Sequence, residues 1–287
     1  LAPLAWPRNA IVMHDAAVLR EPAAYSAAYR AWHTGPGLLC ARRAVAVITV
    51  SEFSRRELVS LAGLDPARVT VIPGGVDERF SAAAAVDGPA ADASATADAS
   101  ATVGAGAGPI LDRLGLRRPY VLTIATDDAR KNLRALAPVA TALAQRGVDL
   151  AWAGDRRPYF SRADPVPGVR SLGYVPDADL PALYRGALAF VLPSRYEGFG
   201  LTCIEAMASG TPVVAADRAA LPETCGDAAL LVDPDDERAL VAAVLAAATD
   251  LPVRERLRAA GRERARRFSW ERTATALHEL LTQVAGR

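Results

Sequence analysis

This sequence has few cysteines, almost no net charge and no long apolar run. Its three scattered cysteines, Cys40, Cys203 and Cys225, argue against a disulfide framework and a cysteine-rich zinc site. The net charge of +1 excludes the wide basic field of nucleic-acid-binding proteins, so we expect no nucleic-acid partner. No apolar run approaches the roughly 18 residues of a membrane span, and the first residues lack the layout of a signal peptide. A reducing, cytoplasmic compartment is the simplest expectation.

A segment without large side chains divides the chain. Residues 81–109 contain no aromatic residue and carry the sequence ADASAT twice in tandem. This composition cannot bury enough apolar surface to offset the entropy lost on ordering. We therefore predict a disordered linker at 81–109, which separates an amino-terminal domain at 1–80 from a larger domain at 110–268. A closing helix is predicted at 269–287.

Short apolar runs alternate with helical patterns in both parts. Three runs precede the linker and six follow it, at 10–13, 45–50, 69–72, 120–125, 148–154, 169–173, 188–193, 212–216 and 228–233. Near-continuous apolar strands that alternate with helices predict an α/β fold, with parallel sheets covered on both faces. Three strands are few for an independent domain of this kind. We therefore expect the amino-terminal domain to be incomplete.

Capping residues and apolar periodicity in the sequence predict where the helices lie. The letters SRRE at 54–57 have the spacing of a capping box and predict a helix start there. Further helices are predicted at 132–146 and 178–186, and the last 50 residues are predicted to be helical throughout. The acidic letters DAD at 177–179 are interpreted as capping residues at a helix start rather than as a metal-binding motif.

Two glutamates flank a glycine turn after the run at 188–193. Glu197 precedes Gly198, and Glu205 lies about one and a half turns into the helix expected to begin near Gly200. Because helical side chains lean toward the amino end, Glu205 should point back to the turn. A carboxylate only accepts hydrogen bonds and therefore suits a vicinal diol. Two carboxylates with free amides between them fit a nucleotide sugar, which has hydroxyls at both ends and phosphates in the middle.

Two cations follow the run at 120–125. Arg130 and Lys131 directly precede a helix that is expected to start at Asn132 and Leu133. Cations beside free helix amides bind a diphosphate. Taken singly, these cations could equally be solvated surface charges and Glu197 a helix cap. Only the joint pattern of the two motifs favours a ligand site at the carboxyl ends of the strands.

These motifs resemble those of a known enzyme family. EGFGLTCIE, with seven residues between its glutamates, resembles the donor-site signature of the retaining family 4 glycosyltransferases of the GT-B fold. ARKNL resembles that family's phosphate-binding turn, VSEFSRREL with VIPGGVD its interdomain passage, MHD its histidine turn and FSWERTA its closing helix. The resemblance implies two Rossmann-like domains, of which the amino-terminal one lacks its first strands. The chain departs from the family at Ala125 and Thr126, where a glycine is usual.

The resemblance also implies a role for each matched residue. Glu205 would bind the ribose diol of the nucleotide, whereas Glu197 and His14 would serve the sugar from opposite domains. The remaining donor-binding residues that it implies are Arg130, Lys131, Gly198, Phe199, Gly200 and Leu201. On this division of roles, replacing Glu197 with glutamine should leave nucleotide binding nearly unchanged. The alternative for His14 is an ordinary strand-end histidine that bonds to the backbone.

The activity implied by the resemblance is sugar transfer. A hexose, with mannose as one candidate, would pass from a nucleotide sugar to a hydroxyl group of a sugar or lipid-linked acceptor, with retention of configuration. The process served would be polysaccharide or glycoconjugate synthesis, without a metal or other cofactor. A cytoplasmic enzyme is expected, and peripheral contact with the inner face of a membrane stays open. The alternative is a remnant that binds nucleotide sugars without catalysis.

Overall fold

The computed structural model describes residues 9–81, 108–116, 119–154 and 166–286, which form an α/β structure. The strands are β1 (Ala10–Val12), β2 (Ala46–Thr49), β3 (Val69–Val71), β4 (Tyr120–Ile124), β5 (Asp149–Ala153), β6 (Val169–Gly173), β7 (Ala189–Leu192), β8 (Val213–Ala216) and β9 (Ala229–Val232). The helices are α1 (Ala17–Arg20), α2 (Ala27–Trp32), α3 (Leu38–Arg43), α4 (Glu52–Ala62), α5 (Gly108–Arg113), α6 (Ala137–Ala144), α7 (Leu180–Gly186), α8 (Leu201–Ala208), α9 (Leu221–Cys225), α10 (Glu237–Thr249), α11 (Leu251–Ala265) and α12 (Trp270–Ala285). The predicted linker at 81–109 lies almost wholly outside the described residues, and α5 already begins at Gly108.

The strands form two separate parallel sheets. The smaller sheet has the order β1-β2-β3 and the larger one the order β6-β5-β4-β7-β8-β9. Counted from β4, the larger order is 3-2-1-4-5-6, the doubly wound arrangement of Rossmann-like domains. The strand order reverses between β4 and β7. Ligands of open α/β sheets bind at such a reversal, so the loops after β4 and β7 are placed to form a site.

The larger sheet is buried on both faces, which explains its apolar strand sequences. On β7, Phe190 and Leu192 pack with Tyr184 and other buried side chains on one face. Val191, between them, packs with the opposite cluster. A strand covered on both faces reads as a continuous apolar run rather than an alternating one. All nine predicted strands are confirmed, with bounds shifted by no more than two residues.

Helix α4 begins three residues earlier than the SRRE spacing predicts. Ser51 has extended backbone angles, and its Oγ accepts a hydrogen bond from the N–H of Ser54 at 3.0 Å. Ser51 is therefore the N-cap, and Ser54 lies in the first turn. The predicted start at Ser54 is wrong because Ser51, which comes soon after β2, already meets the capping requirement.

The helix predicted at 132–146, by contrast, begins later than expected. Asn132 has a left-handed φ of 52°, and the chain forms a 3-10 turn at Leu133–Leu136 before α6 begins. The left-handed residue separates the turn that carries the two predicted cations from the helix that follows. The expectation that Asn132 and Leu133 open the α-helix is therefore wrong.

The passage after β3 belongs structurally to the larger domain. Phe80 is buried in its core and packs edge-on against the ring of Tyr184, with 5.8 Å between ring centroids. The N–H of Val76 donates to the carbonyl of Phe268 at 3.1 Å, and Thr273 Oγ1 donates to the carbonyl of Pro73 at 2.7 Å. The start of α12 and this passage are thus tied together. No helix of the described ranges combines the length and apolarity needed to cross a membrane.

Candidate functional site

The loops after β4 and β7 bring Lys131 and Glu197 into contact. Lys131 Nζ lies 2.7 Å from Glu197 Oε1, and both side chains are largely buried. The N–H of Arg195 donates to the carbonyl of Arg130 at 2.8 Å, which joins the two loops through the backbone. The structure thus brings Glu197 and Lys131 together at the carboxyl ends of neighbouring strands. Glu197 does not serve as the N-cap of α8, because that position is occupied by Gly200 and the Glu197 carboxylate accepts from Lys131.

Arg130 is paired with a different acid. Its Nε and Nη2 donate to the two oxygens of Asp128 at 3.1 and 3.2 Å, and its guanidinium lies 5.3 Å from the ring centroid of Tyr25. Asp128 is fully buried and also accepts a hydrogen bond from Thr126 Oγ1 at 2.7 Å. A bidentate pair of this kind compensates two buried charges. Arg130 is therefore a buried residue held by Asp128 and not a solvated surface charge.

The glycine turn is packed against the amino-terminal part. The carbonyl of Gly198 accepts hydrogen bonds from Ser51 Oγ at 2.7 Å and from Ser54 Oγ at 3.0 Å. The hydroxyl of Tyr196 accepts from the N–H of Ala16 at 3.2 Å. Asp15 approaches so closely that a Cβ on Gly198 would lie 2.7 Å from its own Cβ. Glycine is thus required at this position by the contact between the two domains.

The backbone between the two glutamates opens α8. Gly200 has a φ of +94°, which favours glycine, and Leu201 is the first residue of the helix. The first N–H groups of any helix lack partners within it and carry its positive end. The ring of Phe199 packs edge-on against Phe268, with 5.4 Å between centroids. The predicted amides of Phe199, Gly200 and Leu201 therefore lie at a fixed turn beside the Lys131–Glu197 pair.

Glu205 is half-buried, and no cation of the described residues contacts its carboxylate. Its Oε2 accepts a hydrogen bond from the hydroxyl of Tyr184 at 2.9 Å. Burial raises the pKa of Glu205 from 4.5 to about 7, while the Tyr184 hydrogen bond and the charge of Arg79 oppose the rise and Asp177 adds to it. The pKa of this carboxyl is thereby brought close to neutral pH. The two glutamates of the motif therefore stand in different environments, one bound to a lysine and one to a phenol.

His14 lines a cavity that is formed mainly by the amino-terminal part of the chain. The cavity has a volume of about 760 Å³, and its lining includes His14, Asp15, Tyr25 and Arg130. The side chain of His14 is exposed, and its carbonyl accepts from Thr49 Oγ1 at 3.0 Å. Among described residues the cavity lining includes neither of the two glutamates. The structure thus brings His14 together with Arg130, and Lys131 with Glu197.

The acidic letters at 177–179 take a different role from the one predicted. Asp179 occupies the N-cap position of α7 but makes no side-chain cap, because its Oδ2 accepts from Arg113 Nη2 at 2.6 Å. The interpretation as a capping residue is therefore wrong for Asp179. Over the part of the chain that the structure describes, no group of three His, Cys, Asp or Glu side chains could hold a metal ion.

Three polar residues at the domain contact escape sequence reasoning. Glu223 accepts hydrogen bonds from the N–H groups of Glu52 and Phe53 at 2.8 and 2.9 Å, so it caps α4 from the larger domain. Ser51 and Ser54 reach Gly198, which is 147 and 144 residues further along the chain. The serine spacing within VSEFS is visible in the sequence. Its partner is not, because the contact depends on how the two sheets meet.

We expect Gly198→Ala to destabilise the protein by about 1–3 kcal/mol, as other forced overpacking does. The added Cβ would lie 2.7 Å from the Cβ of Asp15, so the turn or the domain contact must shift. Gly35→Ala is the matched control, because a Cβ there meets no atom within 4 Å. Urea denaturation of both variants checks this, and equal midpoints for the two would contradict it.

Two family profiles match the chain on either side of the predicted linker. "Glycosyl transferases group 1" matches residues 118–250. "Glycosyltransferase Family 4" matches residues 11–80. The first match includes the loops with Lys131 and Glu197, and the second includes most of β1 and all of β2, β3 and α4.

Curated relatives extend the same similarity. The chain is 34% identical over 245 residues to the O-antigen chain mannosyltransferase B of Escherichia coli, a match that covers 80% of this chain and 58% of that protein. It is 43% identical over 118 residues to the mannosylfructose-phosphate synthase of Agrobacterium fabrum, covering 40% of this chain and 25% of that one. The chain thus spans less than two thirds of the length of these relatives.

Solved structures share the fold over almost the whole chain. Sucrose-phosphate synthase from Thermosynechococcus elongatus superposes with a TM-score of 0.71 and 26% identity, over 96% of this chain and 68% of that one. HepE from Anabaena in complex with UDP-glucose gives a TM-score of 0.72 at 20% identity, over 96% and 72% of the two chains. The predicted GT-B-like α/β fold is confirmed.

Proposed function

Because the chain belongs to the group 1 and family 4 glycosyltransferases, we propose that it transfers a hexose from a nucleotide sugar to a hydroxyl group of an acceptor, with retention of configuration. The observation that carries this proposal is the meeting of Lys131 and Glu197 at the strand-order reversal, with Glu205 on the helix that follows. A mannosyltransferase among the relatives and a neighbour solved with UDP-glucose support a hexose and a nucleotide-sugar donor.

Each predicted residue has a task in this proposal. Glu205 accepts hydrogen bonds from the ribose diol, and the amides of Phe199, Gly200 and Leu201 contact the phosphate and the sugar. Lys131 neutralises the charge that develops on the leaving diphosphate, which is the main electrostatic task of the transition state. Because this ammonium and the helix amides supply positive charge, we propose that transfer needs no metal.

Two further residues complete the proposed donor site. Glu197 binds the hydroxyls of the sugar near the reacting carbon. His14 approaches the sugar from the amino-terminal domain, where its side chain is exposed beside the cavity. Arg130 adds positive charge near the diphosphate from the same strand end, although its guanidinium is paired with Asp128.

We also propose that the acceptor is a sugar or a lipid-linked sugar and that the reaction takes place in the cytoplasm, with peripheral contact at the inner face of the membrane. The O-antigen enzyme among the relatives supports an acceptor in polysaccharide or glycoconjugate synthesis. Helix α12 contains no buried residue and exposes Trp270 and Leu281, and it follows α11, which is rich in arginine. Exposed apolar side chains on an amphipathic helix suit contact with a membrane surface.

A ligand screen tests the proposal. GDP-mannose, UDP-glucose, GDP and UDP are added separately, with NAD as the control, and the unfolding temperature is measured. A ligand at 100 times its Kd should raise the free energy of unfolding by about 2.7 kcal/mol. Proton NMR of the product formed with the binding donor then reports the anomeric configuration. If no nucleotide sugar stabilises the protein, the proposal is wrong, whereas binding without transfer would favour the non-catalytic alternative.

A further inference from the structure

Two serine hydroxyls from the amino-terminal part converge on one carbonyl of the predicted donor loop. Ser51 Oγ lies 2.7 Å and Ser54 Oγ 3.0 Å from the carbonyl oxygen of Gly198. Both serines are buried, with at most 1% of their surface exposed. Ser51 Oγ also accepts from the N–H of Ser54, so its single proton is available for Gly198. Because a carbonyl oxygen can only accept, each hydroxyl donates its one proton to Gly198.

These two bonds determine the orientation of an amide on the far side of the peptide. A carbonyl oxygen has two lone pairs, and here both are used. The Gly198–Phe199 peptide is planar and trans, so its N–H points away from its carbonyl and hence away from the serines. In the described part of the chain, the N–H of Phe199 has no hydrogen-bonding partner. Donation to the carbonyl also polarises the peptide and strengthens the N–H as a donor.

The serines are themselves held in place by the larger domain. Glu223 accepts from the N–H groups of Glu52 and Phe53, the first two residues of α4. This carboxylate fixes the start of the helix that carries Ser54, and Ser51 is the N-cap of the same helix. The orientation of the Phe199 amide is therefore set by residues from both domains.

We propose that Ser51 and Ser54 are positioning residues of the donor site, which aim the N–H of Phe199 at the diphosphate of the nucleotide sugar. This inference rests on the proposed function, because it requires a diphosphate ligand at the turn. It implies that the donor site is incomplete in the larger domain alone. The amino-terminal domain contributes to it by orienting one backbone donor rather than by a side chain that touches the donor.

Replacing Ser54 with alanine tests the proposal. Ser54 is the better choice because Ser51 also caps α4. Ser60→Ala is the matched control, since Ser60 lies on the same helix and, among the described residues, its hydroxyl bonds only to the carbonyl of Glu57. Relative to this control, Ser54→Ala should weaken binding of UDP or GDP about three- to tenfold. Binding of uridine or guanosine, which lack phosphate, should be unchanged, and Ser54→Thr should restore diphosphate binding.

A second measurement does not depend on a variant that folds. In the wild-type protein labelled with ¹⁵N, the Phe199 amide resonance should shift on addition of UDP or GDP and stay unchanged on addition of the nucleoside. The proposal is overturned if this resonance does not respond to the diphosphate, or if Ser54→Ala weakens nucleoside and diphosphate binding equally. A wild-type protein that binds neither ligand would instead contradict the proposed function.

Discussion

Replacing Glu205 with glutamine is expected to stabilise the folded protein at pH 8 and at the same time to weaken its binding of a nucleoside diphosphate. Burial raises the pKa of this carboxyl from 4.5 to about 7. Between these values the folded state keeps a proton that the unfolded state has lost. The contribution of Glu205 to the free energy of unfolding is therefore highest below pH 4.5 and falls as the pH rises through about 7.

The size of this effect follows from the shift. Glutamine removes a cost that reaches about 3 kcal/mol once the buried carboxyl is ionised. The same charge accepts the hydrogen bonds of the ribose diol in the proposed site. Its loss should weaken binding of the nucleoside diphosphate about tenfold to a hundredfold at pH 8. Wild-type binding should weaken in the same direction as the pH falls from 8 to 6, because the carboxyl gains a proton.

Urea denaturation at pH 5 and pH 8, together with titration calorimetry, checks both halves of this prediction. Glu279→Gln is the control, because Glu279 is exposed on α12. That variant should match the wild type in stability and binding at both pH values. A Glu205→Gln protein that is less stable than the wild type at pH 8 would show that burial does not raise the pKa of this carboxyl.

Glu197→Gln is expected to tighten the binding of a nucleoside diphosphate, and Lys131→Met is expected to weaken it strongly. Without a ligand, the ammonium of Lys131 is bound to Glu197 at 2.7 Å, so a diphosphate must compete for it. Glutamine removes the competing charge and should lower Kd about tenfold. Lys131→Met removes charge-assisted hydrogen bonds and should raise Kd about tenfold to a hundredfold. The sequence-based expectation is instead that Glu197→Gln leaves binding nearly unchanged, and titration calorimetry of this variant decides between the two predictions.

The free energy of unfolding further distinguishes the roles of Lys131 and Glu197. Lys131→Met leaves a largely buried carboxylate without its cation, which should destabilise the protein by about 1–3 kcal/mol. The double variant Lys131→Met/Glu197→Gln should regain much of that stability but not the binding. Arg218→Met is the control, because its ion pair with Asp233 is exposed and worth little. If Glu197→Gln binds the diphosphate more weakly than the wild type, the competition between carboxylate and diphosphate does not exist.

The strands and the general place of the site were predictable, whereas the pairing of charges within it was not. Two-sided burial leaves a continuous apolar signature, and the carboxyl ends of parallel strands share one edge, so Glu197 and Lys131 were expected to meet. Which acid each cation binds depends on a local backbone feature. The left-handed Asn132 ends the turn in which Arg130 stays with Asp128 while Lys131 reaches the next loop. Which acid pairs with which cation is not encoded in the hydrophobic periodicity from which the strands were predicted.

The passage between the domains also limits how they can move relative to each other. The N–H of Ile72 is bonded to the carbonyl of Thr49 in β2, at 2.8 Å, and so belongs to the smaller sheet. The N–H of Val76 is bonded to Phe268 and so belongs to the larger domain. Along this connection, a hinge between the two bodies must lie between Ile72 and Val76, where Pro73 is bonded to Thr273 of α12 and is followed by two glycines. Rotation about so short a hinge would move the serines away from the Gly198 carbonyl, and the Phe199 amide would then lose the two hydrogen bonds that orient its peptide.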